Sequence, residues 1–180
     1  MSDFLEFPKI HRYSRPVIIT EKIDGTNGQI FIDEDGSIFV GSRTRWITEE
    51  QDNFGFAKWV KENKEELLKL GPGRHFGEWW GSGIQRRYEL KERRFSLFNT
   101  TRWFNNPDLP KCCHVVPIIS MDEILSESLV LTCLDRLKVE GSFASPGFMK
   151  PEGIVIYHTQ GNVLFKKTIE KDDLPKSNNG

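Results

Sequence analysis

The feature that most restricts how this chain can fold is one lysine between two apolar runs. Residues 20–28 have the sequence TEKIDGTNG, with the apolar runs VII before it and QIFI after it. Such runs around an Asp-Gly step predict two strands joined by a turn. Lys22 would then lie where the first strand ends, between Glu21 and Asp24. A lone lysine in this setting is usually an ordinary surface cation, so the stretch by itself defines no function.

Five further segments follow in order. They are residues 42–45 (SRTR), 76–81 (FGEWWG), 95–99 (FSLFN), 152–156 (EGIVI) and 164–167 (LFKK). With the lysine segment, the series resembles the collinear motifs of covalent nucleotidyltransferases, the polynucleotide ligases and messenger-RNA capping enzymes. The sequence EKIDGTN is most similar to phage-type ATP-dependent RNA ligases. The resemblance extends from about Pro8 to Lys167, nearly the whole chain.

The length of 180 residues suits one well-buried domain and is too short for two ordinary ones. The resemblance implies an α+β nucleotidyltransferase domain over residues 1–170, with twisted, mainly antiparallel sheets flanked by helices and a central ATP cleft. Residues 171–180 have little to bury, so we expect a flexible C-terminal tail there.

Hydrophobic periodicity predicts the individual elements. An Asp-Gly step at 35–36 indicates a hairpin before a strand at 38–40. Apolar residues at helical spacing predict helices over about 53–70 and 121–138, and a break near 126–128 is compatible with the second. Strands are expected at 74–81, 94–99 and 115–119, a loop at 102–111, and a final hairpin at 153–157 and 162–168.

Charge limits how the chain can bind polynucleotides. Its formal net charge is -1, whereas many nucleic-acid binders are basic, so any such contact must depend on a local patch or on transient binding. This favours an enzyme over a dedicated binder. The strongest basic cluster consists of Arg86, Arg87, Lys91, Arg93 and Arg94. It is either a solvated face with internal ion pairs or a contact for phosphates.

The three cysteines indicate the compartment. They form no C-x-x-C pair, which argues against a zinc site. Their odd number is typical of reduced thiols, so we expect a cytoplasmic protein, in the host cytoplasm if the source is viral. Neither a leader nor a membrane-spanning stretch is evident, and we expect a soluble, unprocessed monomer.

The resemblance implies a reaction in three displacements at phosphorus. Lys22 attacks the α-phosphate of ATP, expels pyrophosphate and forms lysyl-AMP. The AMP moves to a polynucleotide 5′-phosphate, and a 3′-hydroxyl then attacks that end and releases AMP. A lysine nucleophile reacts as the neutral amine, which partial burial or nearby cations favour. The candidate cations are Arg43, Lys166 and Lys167.

Carboxylates are expected to hold the metal. Glu152 matches the family's metal-associated glutamate, and Mg²⁺, or Mn²⁺ in its place, suits a site with few protein carboxylates. Glu78 lies among aromatic residues, where a carboxylate needs a partner. By resemblance it contacts the ribose hydroxyls or the water shell of the metal. Without the resemblance, Glu152 is an ordinary strand-edge acid and Glu78 is half of an ion pair with an arginine.

The nucleobase needs a flat apolar contact and a hydrogen-bonding partner. Phe98 matches the family's stacking aromatic, although a Phe at alternate strand positions is otherwise more often core. Asn99 follows it where many relatives have Asp. By resemblance, Glu21 accepts a hydrogen bond from the adenine amine, but guanine also carries an amine.

The remaining site residues continue the motifs. By resemblance, Asp24 is catalytic, Gly25 and Asn27 lie at the nucleotide, and Asn27 helps with the acceptor phosphate. Arg43 has a planar fork suited to the polynucleotide 5′-phosphate or the AMP phosphate.

The last motif departs from the family pattern. Relatives have two lysines one residue apart, whereas Lys166 and Lys167 are adjacent and should point to opposite faces of their strand. We favour Lys167 as the lysine that reaches the phosphates.

Three other functions share parts of this pattern. A DNA ligase normally has an extra oligonucleotide-binding domain after the last motif, and only residues 168–180 follow here. A capping-type guanylyltransferase uses GTP. A noncatalytic nucleotide- or RNA-binding relative would not need Lys22, Asp24, Glu78 and Glu152 together. The expected partners are ATP and RNA, as a nicked duplex or an RNA/DNA hybrid, with a separate partner to help recognise the ends.

Overall fold

Two β-sheets organise residues 3–172, the part of the chain that the computed structural model describes. The four-stranded sheet has the order β7-β1-β8-β9 and consists of β1 (Pro16–Lys22), β7 (Ile118–Ile124), β8 (Gly153–His158) and β9 (Val163–Thr168). The five-stranded sheet has the order β3-β2-β4-β5-β6 and consists of β2 (Thr26–Ile32), β3 (Ile38–Gly41), β4 (Gly73–Gly81), β5 (Arg93–Leu97) and β6 (Cys113–Val115). Among these described strands, β5 and β6 alone pair in parallel.

The helix predicted over 53–70 is divided into three short pieces. They are α1 (Phe56–Glu62), α2 (Lys64–Leu67) and a 3₁₀ turn (Leu68–Leu70). The division falls at Asn63, whose side-chain amide donates to the Trp59 carbonyl at 2.8 Å. An asparagine side chain that binds a helix carbonyl competes with the backbone, which explains the break.

The helix predicted over 121–138 is wrong in its first part. Residues up to Ile124 belong to β7, where Ile124 pairs with Pro16 of β1. The helix α4 covers Glu127–Glu140, and its N-cap Ser126 accepts a hydrogen bond from the Leu129 amide at 3.2 Å. Pairing with β1 therefore prevails over the helical spacing of apolar residues in this segment.

The strand predicted at 115–119 is divided between the two sheets. β6 ends at Val115 and β7 begins at Ile118, with Pro117 between them. The Val116 amide still donates to Leu97 of the five-stranded sheet, whereas the Pro117 carbonyl accepts from Glu21 of the four-stranded sheet. A proline cannot donate to a strand ladder, so the chain changes sheets here.

A short helix also lies partly in the segment predicted as a loop. It is α3 (Thr100–Trp103), capped by Asn99. The predicted final hairpin is confirmed as β8 and β9, and Gly141 ends α4 as expected. Of the tail predicted at 171–180, residues 173–180 lie outside the described residues.

Each sheet has its own apolar core. One cluster packs α1 against the five-stranded sheet and includes Ile30, Phe56, Val60, Trp79 and Phe95. Another packs α4 against the four-stranded sheet and includes Val17, Ile19, Leu134, Leu137 and Ile154. Fully burying one such aliphatic side chain contributes about 1.5–3 kcal/mol, so these two clusters hold the helices on the sheets.

A third, smaller cluster lies beside the connection between the sheets. It contains Ile23, Trp80, Tyr88, Val116 and Phe148. The predicted class is therefore confirmed: an α+β domain with mainly antiparallel sheets flanked by helices. No helix within residues 3–172 has both the length and the apolar character that a membrane crossing requires.

Candidate active site

The connection from β1 to β2 crosses from one sheet to the other and positions Lys22. Lys22 ends β1, and Thr26 begins β2. Gly25 lies so close to β4 that a Cβ there would be 2.5 Å from the Trp79 carbonyl oxygen and 2.7 Å from the Trp80 Cβ. Only glycine fits this approach, so the Asp-Gly step fixes Lys22 at the junction of the sheets.

Lys22 forms an ion pair across the four-stranded sheet. Its Nζ lies 2.7 Å from Glu152 Oε2, and the two side chains are only 17% and 5% exposed. Lys22 pairs with Gly153 in the β1–β8 ladder, which brings Glu152 beside the end of β1. The predicted nucleophile and the predicted metal carboxylate therefore meet, although they are 130 positions apart in the chain.

Glu78 supports the lysine turn from the five-stranded sheet. It lies on β4 opposite Asn27 of β2. Its buried carboxylate accepts hydrogen bonds from the Gly25 backbone amide at 3.0 Å and from Asn27 Nδ2 at 3.2 Å. These two hydrogen bonds link β4 to the turn, so Glu78 is well placed to keep the turn rigid.

Residues 82–92 form a loop, here called the clasp loop. It binds Asp24 on the side of the lysine turn opposite Glu78. Arg86 Nε donates to Asp24 Oδ2 at 2.9 Å, and Arg86 Nη1 donates to the Lys150 carbonyl at 3.1 Å. The hydroxyl of the fully buried Tyr88 accepts from the Asp24 amide at 2.7 Å. Burial raises the pKa of Tyr88 well above its ordinary value, so it remains a phenol. The sequence analysis missed the role of Tyr88 as a hydrogen-bond partner of the lysine turn. The signal that could have indicated it is a single tyrosine within a segment of charged residues.

The clasp loop also has an unusual backbone. Positive φ values occur at Gln85 (44°), Arg87 (62°), Tyr88 (49°) and Glu89 (56°). Such values are uncommon for residues other than glycine, and they persist only where surrounding contacts impose them. In the clasp loop, the contacts of Arg86 and Tyr88 with Asp24 impose this backbone conformation.

The basic cluster is largely committed to contacts within the protein. Arg93 donates to the carbonyls of Ser82 and Phe54, at 2.9 and 2.7 Å, and Arg94 pairs with Glu92. With Arg86 bound to Asp24, three of the five cations have internal partners. The other two, Arg87 and Lys91, are exposed, so only they fit the phosphate-contact alternative without losing such a partner.

The carboxylate of Glu21 lies on the opposite face of β1 from Lys22. It is almost fully buried, and it accepts from the Ser142 hydroxyl at 2.6 Å and from the Ala144 amide at 2.9 Å. Burial raises the pKa of Glu21 against these hydrogen bonds. The structure does not bring Glu21 to the Lys22 face, and its geometry does not favour the expected contact with adenine.

The strand register separates the two adjacent lysines. In the β8–β9 ladder Lys166 pairs with Val155, which in turn pairs with Thr20 of β1. Directly paired residues point to the same face, and Lys22, two residues after Thr20, shares that face. Lys167 points to the opposite face and forms an ion pair with Asp172 at 3.1 Å. The register therefore contradicts our preference for Lys167 and favours Lys166.

Phe98 and Arg43 are both available to a ligand. Phe98 follows β5 and is 42% exposed, so it is not a core residue. The departure at Asn99 has a structural explanation, because its Oδ1 accepts from the Arg102 amide at 3.1 Å and caps α3. Arg43 is exposed, and its guanidinium has no hydrogen bond or ion pair to another residue in 3–172. No hydrogen bond joins Arg43 to Lys22, which is paired with Glu152.

The carboxylates suit a weakly held divalent ion. Within residues 3–172 no group of three or more His, Cys, Asp or Glu side chains could enclose a metal. Glu152 and Glu78 are two separate carboxylates near the same turn. Mg²⁺ usually keeps several waters and takes one or two protein carboxylates, so this donor set fits it.

Comparison with known proteins defines the class. The RNA ligase family model matches residues 15–169, and the chain therefore belongs to the RNA ligase family. A search of curated protein sequences found no significant match.

Solved structures of an RNA ligase from Naegleria gruberi are similar to this chain. A mutant with AMP and Mn has a TM-score of 0.65 at 21% identity, over 87% of this chain and 50% of that chain. An apo mutant has a TM-score of 0.64 at 21% identity, over 86% and 50%. A mutant with ATP and Mn has a TM-score of 0.64 at 20% identity, over 87% and 50%. The likeness establishes the fold, and this chain spans about half the length of those chains.

Proposed function

We propose that this protein is an ATP-dependent RNA ligase that works through a lysyl-AMP intermediate. The observation that carries the proposal is the Lys22–Glu152 ion pair of 2.7 Å at the junction of the two sheets, on the turn that Glu78 supports. Membership of the RNA ligase family supports it. So does the similar fold of the Naegleria gruberi RNA ligase, which was solved with ATP, AMP and Mn.

In the first step, Lys22 Nζ attacks the α-phosphorus of ATP. The N–P bond forms as the bond to pyrophosphate breaks, and the amine must first lose a proton. Glu152 Oε2, at 2.7 Å, is the candidate acceptor of that proton. A bound Mg²⁺ or Mn²⁺ would neutralise charge on the phosphate oxygens, and Glu78, together with Glu152 while Glu152 is ionised, would hold it.

The other site residues orient the nucleotide and the RNA. Lys166 lies on the Lys22 face, where its cation stabilises the charge that develops on phosphate. Phe98 stacks on adenine, and Asn27 assists the acceptor phosphate. Arg43 binds the RNA 5′-phosphate in the second step, before a 3′-hydroxyl displaces AMP in the third.

A covalent labelling experiment tests the first step. Purified protein is incubated with Mg²⁺ and ATP carrying a labelled α-phosphate, and the modified residue is located by mass spectrometry. We expect AMP on Lys22 and no adduct in Lys22→Ala. Lys167→Ala, on the opposite strand face, should still form it. An adduct on another residue, or a GTP adduct formed in preference, would contradict the proposal.

A sealing experiment tests the substrate. Matched nicks in RNA, DNA and RNA/DNA hybrid duplexes are compared with wild-type protein and Lys22→Ala. We expect sealing of nicks with an RNA strand, and we propose that a partner that recognises the ends improves it. Sealing of all-DNA nicks alone would instead identify a DNA ligase. RNA binding without any adduct, unchanged in Lys22→Ala, would identify a noncatalytic relative.

The cysteines support a reducing compartment for this enzyme. Cys112, Cys113 and Cys133 are free thiols, and Cys113 and Cys133 are buried. Unpaired buried thiols are typical of proteins kept in the cytoplasm. We therefore propose a cytoplasmic enzyme. We also propose that it acts as a monomer, as expected from the sequence.

A further inference from the structure

An exposed aromatic group lies on the five-stranded sheet, away from the lysine turn. Phe31, Phe39 and Trp46 form it, with ring centroids 5.9 to 6.5 Å apart. Arg74 lies over two of these rings, 4.7 Å from the Phe31 centroid and 5.6 Å from that of Trp46. We call these four residues the aromatic platform.

The aromatic platform is exposed because none of the helices within residues 3–172 covers it. Phe39 is 48% and Trp46 50% exposed, whereas the opposite face of the same sheet is buried under α1. Gly41 allows Trp46 to lie on the sheet, since a Cβ there would already be 3.3 Å from the indole ring. Three large rings held together in water are typical of a binding surface.

The register places the aromatic platform on the same sheet face as the candidate active site. Phe31 pairs with Phe39 and with Arg74, and the strand positions two and four residues before Phe31 are Gln29 and Asn27. Asn27 pairs with Glu78, so all these side chains share one face. Four strand residues span about 13 Å, which a stacked nucleic-acid strand covers in about four nucleotides.

Three arginines lie on or beside the aromatic platform, while the acidic residues Asp33, Glu34 and Asp35 lie in the turn at the edge of the sheet. The Arg74 guanidinium has no hydrogen bond or ion pair within residues 3–172, and Arg43 and Arg45 lie exposed in the segment that leads to Trp46. The paired face positions from Gln29 to the sheet edge carry no acidic side chain. Rings for stacking beside cations for phosphates are the combination that binds single-stranded nucleic acid.

We propose that the aromatic platform binds the bases of a single-stranded RNA segment that continues from the reactive end at Lys22. This inference rests on the proposed ligase function and names how its RNA is held. A protein interface is the competing occupant, because aromatic residues and arginine are also enriched in such interfaces. We favour RNA because the aromatic platform shares its sheet face with Asn27 and Glu78 of the candidate active site.

Trp46 provides a direct probe of RNA binding. The other tryptophans, at positions 59, 79, 80 and 103, are buried or half-buried, so stacking on the aromatic platform should quench mainly Trp46 fluorescence. In a titration with a 12-nucleotide single-stranded RNA we expect quenching in wild type and its loss in Trp46→Leu. Loss of one stacking ring, in Trp46→Leu or Phe39→Ala, should weaken RNA affinity roughly 5- to 150-fold.

Two controls separate this inference from the proposed function. Phe104→Ala removes a comparably exposed ring that is not in the aromatic platform, and it should bind RNA like wild type. Lysyl-AMP formation from ATP alone should be unchanged in Trp46→Leu. If wild type forms no adduct, the proposed function fails, while the RNA titration still decides about the aromatic platform.

Three outcomes would overturn the inference. The first is an RNA affinity of Trp46→Leu and Phe39→Ala equal to that of wild type, and the second is no detectable RNA binding by wild type. The third is concentration-dependent self-association that Trp46→Leu abolishes with RNA affinity unchanged, which would assign this surface to a second copy of the chain.

Discussion

The lysine of the first motif combines two properties that its sequence alone did not reveal. It is mostly buried, and it is paired with a carboxylate from a distant strand. A charged pair in a partly desolvated place is held by the surrounding fold and is costly to break by removing one member. The proposed nucleophile is thus held in place by the fold itself, which is the preorganisation that the proposed phosphoryl transfer needs.

At the residue scale, the two adjacent lysines should differ sharply. Lys166→Ala removes a cation from the Lys22 face, so we expect lysyl-AMP formation to slow roughly 100-fold. Lys167→Ala loses only the half-exposed ion pair with Asp172, and such pairs contribute little to stability. Its rate of adduct formation should therefore be close to that of wild type. The measurement is the rate of adduct formation at saturating ATP. A larger effect of Lys167→Ala would reverse the assignment.

At the element scale, the clasp loop is a device for holding the lysine turn. Arg86 and Tyr88 form hydrogen bonds with Asp24 on one side of the turn, and Glu78 accepts a hydrogen bond from the Gly25 amide on the other side. The turn is therefore fixed by two different segments of the five-stranded half, and the positive φ values show that the clasp loop is itself constrained.

We predict that Arg86→Gln slows adduct formation by positioning alone. The side chain bridges Asp24 and Lys150, so its loss should loosen the turn and reduce the rate roughly 10- to 100-fold. The apparent KM for ATP should change much less than kcat, because Arg86 is not assigned a contact with the nucleotide. The matched control is Arg87→Gln, an exposed neighbour, which should leave both constants near wild type. An equal loss of rate in the two variants would contradict the positioning role of Arg86 in the clasp loop.

The corrected start of α4 leads to a stability prediction. Ser126 caps this helix, so Ser126→Ala should lower the free energy of unfolding by about 1 kcal/mol. Ser128→Ala, also exposed but inside the first turn, should change it far less. Urea denaturation of both variants measures the difference. A larger effect of Ser128→Ala would contradict the assignment of Ser126 as the N-cap.

At the scale of the whole molecule, three apolar clusters surround the junction of two sheets. The two large ones attach helices to the outer faces, and the small one joins the sheets beside Lys22. The candidate site therefore lies where the two sheets meet. Glu21, on the opposite face of β1, connects this strand to residues 142–144 through hydrogen bonds.

Global stability should depend on pH through Glu21. Its pKa is raised in the native state from an ordinary value of 4.5, mainly by burial. Between 4.5 and the raised pKa, the native protein holds a proton that the unfolded chain has released, so the free energy of unfolding falls as pH rises through this window. Glu21→Gln should remove that part of the slope, as measured by denaturation at a series of pH values. If the free energy of unfolding changed with pH equally in wild type and Glu21→Gln, Glu21 would not contribute to the pH dependence.

The sequence predicted the class of fold, most strands and the residues of the motifs. It succeeded at the lysine turn and at the final hairpin because alternating apolar residues and Gly-containing turns impose local geometry. It failed at 121–124, where apolar spacing suited a helix but an adjacent strand offered a ladder of hydrogen bonds. Local pattern cannot report a partner that is distant in the chain.

What the sequence determined by itself was which chemistry is represented: a lysine on a strand-to-turn step, followed by carboxylates, an aromatic and cations in a fixed order. Only the tertiary structure decided which of these groups meet. It paired Lys22 with Glu152, placed Lys166 rather than Lys167 on their side, and turned Glu21 into the interior. The physical reason is that strand register and burial, which depend on contacts across the whole chain, determine where each side chain points.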